Sequence, residues 1–263
     1  MGALEDVLGR KLDSDACGPD RGPGYISGNH LPTFDLAAKQ RLSGVAGHDP
    51  LGPQPLIVSP EAIAQRMDIY FDNPWAMIED GAIYTLDQAD VINPVKLFPN
   101  RPWLQEITTE WLNEPLLAIF KSRRMTITWL FIFLHLWMVL FKEGRAVFFV
   151  SDKEEKSDEL VQRAVFIYNH IPDELMLKPR IKPSYCYLEV PGLDSYIQGV
   201  AQGADQLRQY TASAIFADEF AFWEKARETF GASKPTIDGG GKFTCVSSPK
   251  EGFFKELCFD LIR

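Results

Sequence analysis

Two short stretches carry residue types that could handle a triphosphate. The first is KSRRMTIT at 121–128, a basic turn between the apolar run LLAIF and a second apolar run. The second is Asp218-Glu219, which follows the apolar run SAIFA at 213–217. A phosphate-binding loop needs inward-facing N–H groups, a lysine for the terminal phosphates and a Ser/Thr hydroxyl for magnesium at the start of a helix. Phosphoryl transfer to water also needs one carboxylate in the metal shell and another to orient the attacking water.

Aligned with GxxxxGK[ST] from its last residue, the turn puts Thr128 on the metal-ligand position, Ile127 on the lysine position and Thr126 on the second glycine. Lys121 falls on the first glycine, so the lysine stands at the opposite end of the loop. A lysine side chain reaches about 6 Å, enough to meet phosphates from there if the loop wraps the anion. Arg123 and Arg124 add charge where a triphosphate needs it. Thr126 fits poorly: a β-branched residue is costly if that position needs positive φ, so the loop is expected to take a somewhat different path. A basic turn between strand and helix is ordinary by itself, and acids after a strand often serve only a helix N-terminus. In this order, both after apolar strands, they point to nucleotide hydrolysis. GGGKF at 239–243 precedes a strand instead of opening a helix, and reads as a turn.

Such residues need a scaffold that brings them together. Strands are expected at 116–120, 145–150, 213–217 and within 239–248, with a shorter one at 81–86. Helices are expected around SPEAIAQRMDIYF, where Ser59 caps and Pro60 opens, over RPWLQEITTEWLNE, over 126–141, and over SDKEEKSDELVQRAVFIYNHI with Ser151 and Glu154 at capping-box spacing. SYCYLEV and SYIQGVA, joined by PGLD, read as a hairpin. Continuous apolar strands alternating with helices predict an α/β fold with a mostly parallel sheet flanked by helices. Ligands bind such sheets at the carboxyl ends of the strands. Lys121, Ser151, Asp218-Glu219 and Ser247-Ser248 each stand at such an end.

The chain has 263 residues and a formal net charge of −9, which argues against a protein that coats nucleic acid with a basic surface. Cys17, Cys186, Cys245 and Cys258 form no CxxC pair, so neither a zinc site nor a disulfide framework is expected. No signal peptide is read at the N-terminus. WLFIFLHLWMVLF at 129–141 is too short to span a bilayer and reads as a core helix. Residues 1–60 hold nine of the 19 glycines and seven of the 18 prolines, giving an irregular arm over 1–65 ahead of one domain at 66–263.

Four segments together resemble the ATPase (motor) domain of the large terminase subunit of tailed bacteriophages. KSRRMTITWL is similar to that family's deviant Walker A, IFADEFAFW to its Walker B with catalytic glutamate, and CVSSP to its coupling motif. GADQLRQYTAS resembles the segment before Walker B, and NPWAMIEDGAIYTLD and FPNRPWLQ its lead-in, so the likeness covers roughly 70–263. The resemblance implies a P-loop NTPase fold of the ASCE type that uses ATP and Mg²⁺. It implies that Lys121, Ser122, Arg124, Met125, Thr126, Ile127 and Thr128 form the nucleotide loop, with Thr128 and Asp218 on the metal. Glu219 would be the catalytic base, and Arg123, or else Arg124, the loop arginine that senses the γ-phosphate. Arg208 would act on a neighbouring subunit's nucleotide, Ser247 and Ser248 would couple hydrolysis to movement, and Gln105 would read the adenine. Trp103 or Phe98 would pack near the base, with core packing the competing role.

Implied partners are double-stranded DNA, a homo-oligomeric ring on a portal protein and the small terminase subunit, in the host cytoplasm at the procapsid, with no membrane. Two departures stand out. Thr126 replaces a glycine, and no acidic triad of the family's nuclease follows SSPKEGFFKELCFDLIR, so an N-terminal motor domain is expected. Two other readings remain: a helicase-like DNA translocase, which needs further motor elements, and a nucleotide-binding assembly module with little or no hydrolysis.

Overall fold

The computed structural model describes residues 59–122, 125–203, 205, 207 and 211–261. The chain divides after Ile57, and the arm expected over 1–65 lies outside the described residues up to position 58. Helix α1 (Pro60–Asp72) opens as expected, with the Ser59 hydroxyl accepting the Ala62 N–H at 3.2 Å and Pro60 in the first turn. A short helix α2 (Trp75–Glu79) follows, then a two-stranded antiparallel sheet of β1 (Tyr84–Leu86) and β2 (Val95–Leu97).

The main sheet has seven strands: β3 (Leu116–Phe120), β4 (Ala146–Ser151), β5 (Lys182–Ser184), β6 (Tyr187–Val190), β7 (Ser195–Ala201), β8 (Ala214–Asp218) and β9 (Lys242–Ser247). Their order is β3-β9-β8-β4-β7-β6-β5, parallel from β3 to β7 and antiparallel at β6 and β5. The fold is therefore α/β with a mostly parallel sheet. One strand, β9, lies between the strand before the basic loop and the strand that ends in the two acids, as the ASCE type requires.

Strand alternation divides the core between the two faces. Val147 and Phe149 of β4 and Phe216 of β8 enter one core, which also contains α3 (Pro102–Asn113), α4 (Ile127–Phe141) and α5 (Glu154–His170). Phe148, Val150, Ile215 and Ala217 enter the other, beneath α6 (Ala226–Asp238) and α7 (Phe253–Glu256). Burial on both faces explains why these strands read as unbroken apolar runs. α4 packs on β4, β7 and β8 and is flanked by α3 and α5, and every residue from Leu130 to Phe141 is buried. Among the described residues no helix is long and apolar enough to cross a membrane.

Several expectations are corrected. β3 is not a buried strand: it is the edge of the sheet and all five residues are half-buried. Ser151 does not cap α5, because pairing with Ala201 of β7 makes it the last residue of β4; Lys153 takes the N-cap position without a side-chain hydrogen bond. The hairpin of β6 and β7 acquires a third strand, β5. Helix α6, absent from the sequence expectations, contains Gly231 and Pro235.

His135 sits fully buried in α4, its ring stacked on Phe216 and edge-on to Trp111 and Phe149. Its Nδ1 lies 2.7 Å from the Phe131 carbonyl, and Nε2 has no hydrogen-bond partner among the described residues. Burial pushes its pKa down to about 4, the Phe131 contact opposes this, and the charge of Lys242 adds to it. The unfolded chain thus binds a proton at higher pH than the native one. Stability from this group is complete above pH about 6.5 and is lost as pH falls from there to about 4, by about 3 kcal/mol in all. Denaturant unfolding of the parent and of His135→Leu across that range should differ by this pH-dependent loss, present in the parent and absent in the variant.

Candidate active site

The side chains expected to do chemistry sit at the carboxyl ends of β3, β9, β8 and β4, which are neighbours in the sheet. Parallel pairing puts these ends on one edge, so topology alone collects Lys121, Ser247, Asp218-Glu219 and Ser151. The Lys121 backbone N–H donates to the Ser247 carbonyl at 2.9 Å, which anchors the start of the loop to β9.

The Lys121 ammonium lies 2.6 Å from Glu219 Oε1 and 3.7 Å from Asp218 Oδ1. Thr128, in the first turn of α4, donates its hydroxyl to Asp218 Oδ1 at 3.0 Å. The other Glu219 oxygen, Oε2, accepts from the Ser247 hydroxyl and the Ser248 N–H, each at 3.4 Å. Lys121 and Asp218 are nearly enclosed, with side chains 11% and 14% exposed, whereas Glu219 is 43% exposed. Burial pushes the Asp218 carboxyl above its ordinary range; the Lys121 ammonium opposes this, the Glu219 charge adds to it, and the Thr128 hydroxyl opposes it.

Two backbone positions beside these groups are left-handed. Thr126 has φ 57 at the N-cap of α4, and Glu219 has φ 53 at the start of the 3₁₀ turn Phe220–Phe222. Each costs about 1–2 kcal/mol for an L-residue. The expectation that the loop avoids positive φ at the glycine position is thus corrected: Thr126 takes it, β-branched side chain included. Thr126 makes no side-chain capping hydrogen bond. Among the described residues no side chain caps α4, and α-helix geometry leaves its first N–H groups without intrahelical acceptors at the loop end.

The remaining candidates are less closely drawn in. Ser122 and Met125 are exposed on the loop. Ile127 is buried, its side chain in the core, so only its backbone is left for a ligand. Gln105 is exposed on α3, and no described side-chain contact ties it to the loop. Phe98 is core, while Trp103 is 37% exposed. Arg123, Arg124 and Arg208 lie outside the described residues.

Three residues around the acids were not picked out from the sequence. Trp223 donates its indole N–H to the Asp218 carbonyl at 3.1 Å and steadies the turn between the acids and α6. Lys156 and Arg163 of α5 line a cleft of about 410 Å³ whose other walls include Asp218, Glu219 and Ser248. The Arg163 guanidinium lies over the Trp129 ring at 5.6 Å. Lys121 and Thr128 do not line this cleft, so the two acids face the loop on one side and the cleft on the other. Lys156 and Arg163 are seven residues apart on an amphipathic helix, where charges ordinarily signal only a solvated face.

Among the described residues no group of three or more His, Cys, Asp or Glu could hold a metal. A hydroxyl hydrogen-bonded to one carboxylate instead suits a hard cation such as Mg²⁺, which takes few protein oxygens and completes its shell with water and phosphate.

Comparison with curated proteins gives no match. Among solved structures, a mutant form of the ATPase domain of the Thermus phage P74-26 large terminase is 14% identical at a TM-score of 0.47, over 60% of this chain and 69% of that one. The large terminase of bacteriophage HK97 is 14% identical at a TM-score of 0.49, over 66% of this chain and 36% of that one. The large terminase of the thermophilic bacteriophage D6E, in complex with ADP, is 11% identical at 0.45, over 57% and 39%. The chain thus spans little more than a third of the last two, and likenesses at such identities assign no residue role. The family described as terminase large subunit, T4likevirus-type, N-terminal, matches residues 119–255. That span is more than half of the chain and runs from the end of β3 past both acids and the two serines at the end of β9, so the chain belongs to this terminase large-subunit family.

Proposed function

We propose that this chain binds and hydrolyses ATP with Mg²⁺ and so drives double-stranded viral DNA into a procapsid. The observation that carries the reading is the meeting of Lys121, Thr128, Asp218 and Glu219, distant in sequence, within hydrogen-bond or ion-pair reach at one edge of the sheet. The uncapped N-terminus of α4 and the Lys121 ammonium receive the β- and γ-phosphates. Thr128 and Asp218 would hold Mg²⁺, which when bound would neutralise charge on the phosphate oxygens. Glu219 accepts a proton from the attacking water and aligns that water with the γ-phosphate. Ser247 and Ser248 keep Glu219 in place from β9, and this contact supports a coupling role for them.

Further roles extend this reading. Arg123, or else Arg124, senses the γ-phosphate, and Gln105 reads the adenine. Arg208 of an adjacent subunit completes the charge stabilisation, so that turnover needs a homo-oligomeric ring. Working partners are then DNA, a portal protein and the small terminase subunit, in the host cytoplasm.

An arginine supplied between subunits is worth about 10³–10⁵ in rate. Mg²⁺-dependent phosphate release per chain should therefore be slow when dilute and rise with protein concentration. Calorimetry showing no uptake of ATP at millimolar concentration with Mg²⁺ would sink the reading.

A further inference from the structure

We propose that Lys121 latches the ligand-free site: the ammonium that is to hold the triphosphate masks Oε1 of Glu219, and substrate arrival unmasks the base. This rests on the nucleotide reading above and adds an order of events to it.

The two oxygens of Glu219 are held by different parts of the fold. Oε1 takes the Lys121 ammonium at 2.6 Å, from the loop after β3. Oε2 takes the Ser247 hydroxyl and the Ser248 N–H, from the end of β9. A water that is to be activated needs a free acceptor on Glu219. With the pair closed, it would have to compete at Oε1 with a charge-assisted contact, the stronger kind of hydrogen bond.

The latch is built to open by a side-chain movement alone. Lys121 is fixed through its backbone N–H to Ser247, so its long side chain can swing while the loop stays anchored. Glu219 does not follow it. The serine contacts remain on Oε2, and the backbone beside it is held by the Trp223 indole on the Asp218 carbonyl. A triphosphate carries more charge than one carboxylate and draws the ammonium away. Glu219 then keeps its place with Oε1 vacant and aimed where the lysine had been. Oε1 is thus engaged by the ammonium until substrate draws the ammonium away.

The same geometry makes Glu219 a competitor for the cation that ATP needs. The test is the affinity of a non-hydrolysable ATP analogue, with Mg²⁺, for the parent, Glu219→Gln and Glu219→Asp. Gln removes the charge. Asp keeps it but is one methylene shorter, which draws the carboxylate back from the 2.6 Å contact and weakens it. Both variants should bind roughly 3–10-fold tighter than the parent, and the Lys121 amine should be more reactive to an amine-directed label in both when nucleotide is absent. Tighter binding by Gln with no change in Asp would assign the effect to charge alone and overturn the latch. Equal affinity in all three, with turnover lost in Gln, would overturn it too and leave the nucleotide site standing. Absence of binding in all three would remove the nucleotide reading and the latch together.

Discussion

Glu219→Gln is expected to lower ATP turnover by about 10²–10⁴-fold, the usual range for loss of a general base, while nucleotide binding persists. Glutamine has the same size and retains an oxygen for Ser247 and Ser248, so the 3₁₀ turn and its φ of 53 need not change. What is lost is the basicity at the oxygen that faces the loop. Steady-state phosphate release set beside equilibrium binding separates the two. Turnover at the parent rate would show that another group handles the water's proton, with the carboxylates lining the α5 cleft, Asp152 and Glu159, next in line.

Lys121→Met is expected to weaken nucleotide binding by about 10–100-fold, the equivalent of one charge-assisted hydrogen bond. Methionine keeps most of the length of the side chain, so packing around this 11% exposed position is largely retained. The ligand-free protein should also melt at a lower temperature. Asp218, itself only 14% exposed and already disfavoured as a carboxylate by burial, would lose its nearby cation. Fluorescent-nucleotide titration and thermal melts report the two effects independently. Parent-like affinity would mean that the lysine at the start of the loop does not replace the one missing from the Ile127 position.

Much of the site was legible because polar residues ending apolar strands are conspicuous. Lys121, Asp218, Glu219 and Ser247 announce themselves that way, and the parallel sheet gathers them on one edge. The conformation of Thr126 was not legible: its misfit with a glycine position pointed to a differently routed loop, whereas the residue itself takes the positive φ. Other features depend on neighbours that no local pattern contains. LLAIF is as apolar as an interior strand, yet among the described residues β3 pairs with β9 alone and stays half-buried. Ser151 has the residue type of a helix cap, but its pairing across to Ala201 makes it strand. Helix α6 was hidden because Gly231 and Pro235 interrupt its signal and its buried residues, Ala226, Thr229 and Ser233, are small. Lys156 and Arg163 share a cleft with the acids only because α5 is laid beside them, which their spacing does not reveal.

The most direct measurement is a crystal structure of this chain with a non-hydrolysable ATP analogue and Mg²⁺. The expected result has the Lys121 ammonium on the terminal phosphates, Thr128 and Asp218 on the metal, and Glu219 still held by Ser247 and Ser248 with Oε1 turned to a water. An analogue bound away from the β3–α4 loop, with Lys121 still paired to Glu219, would contradict the account.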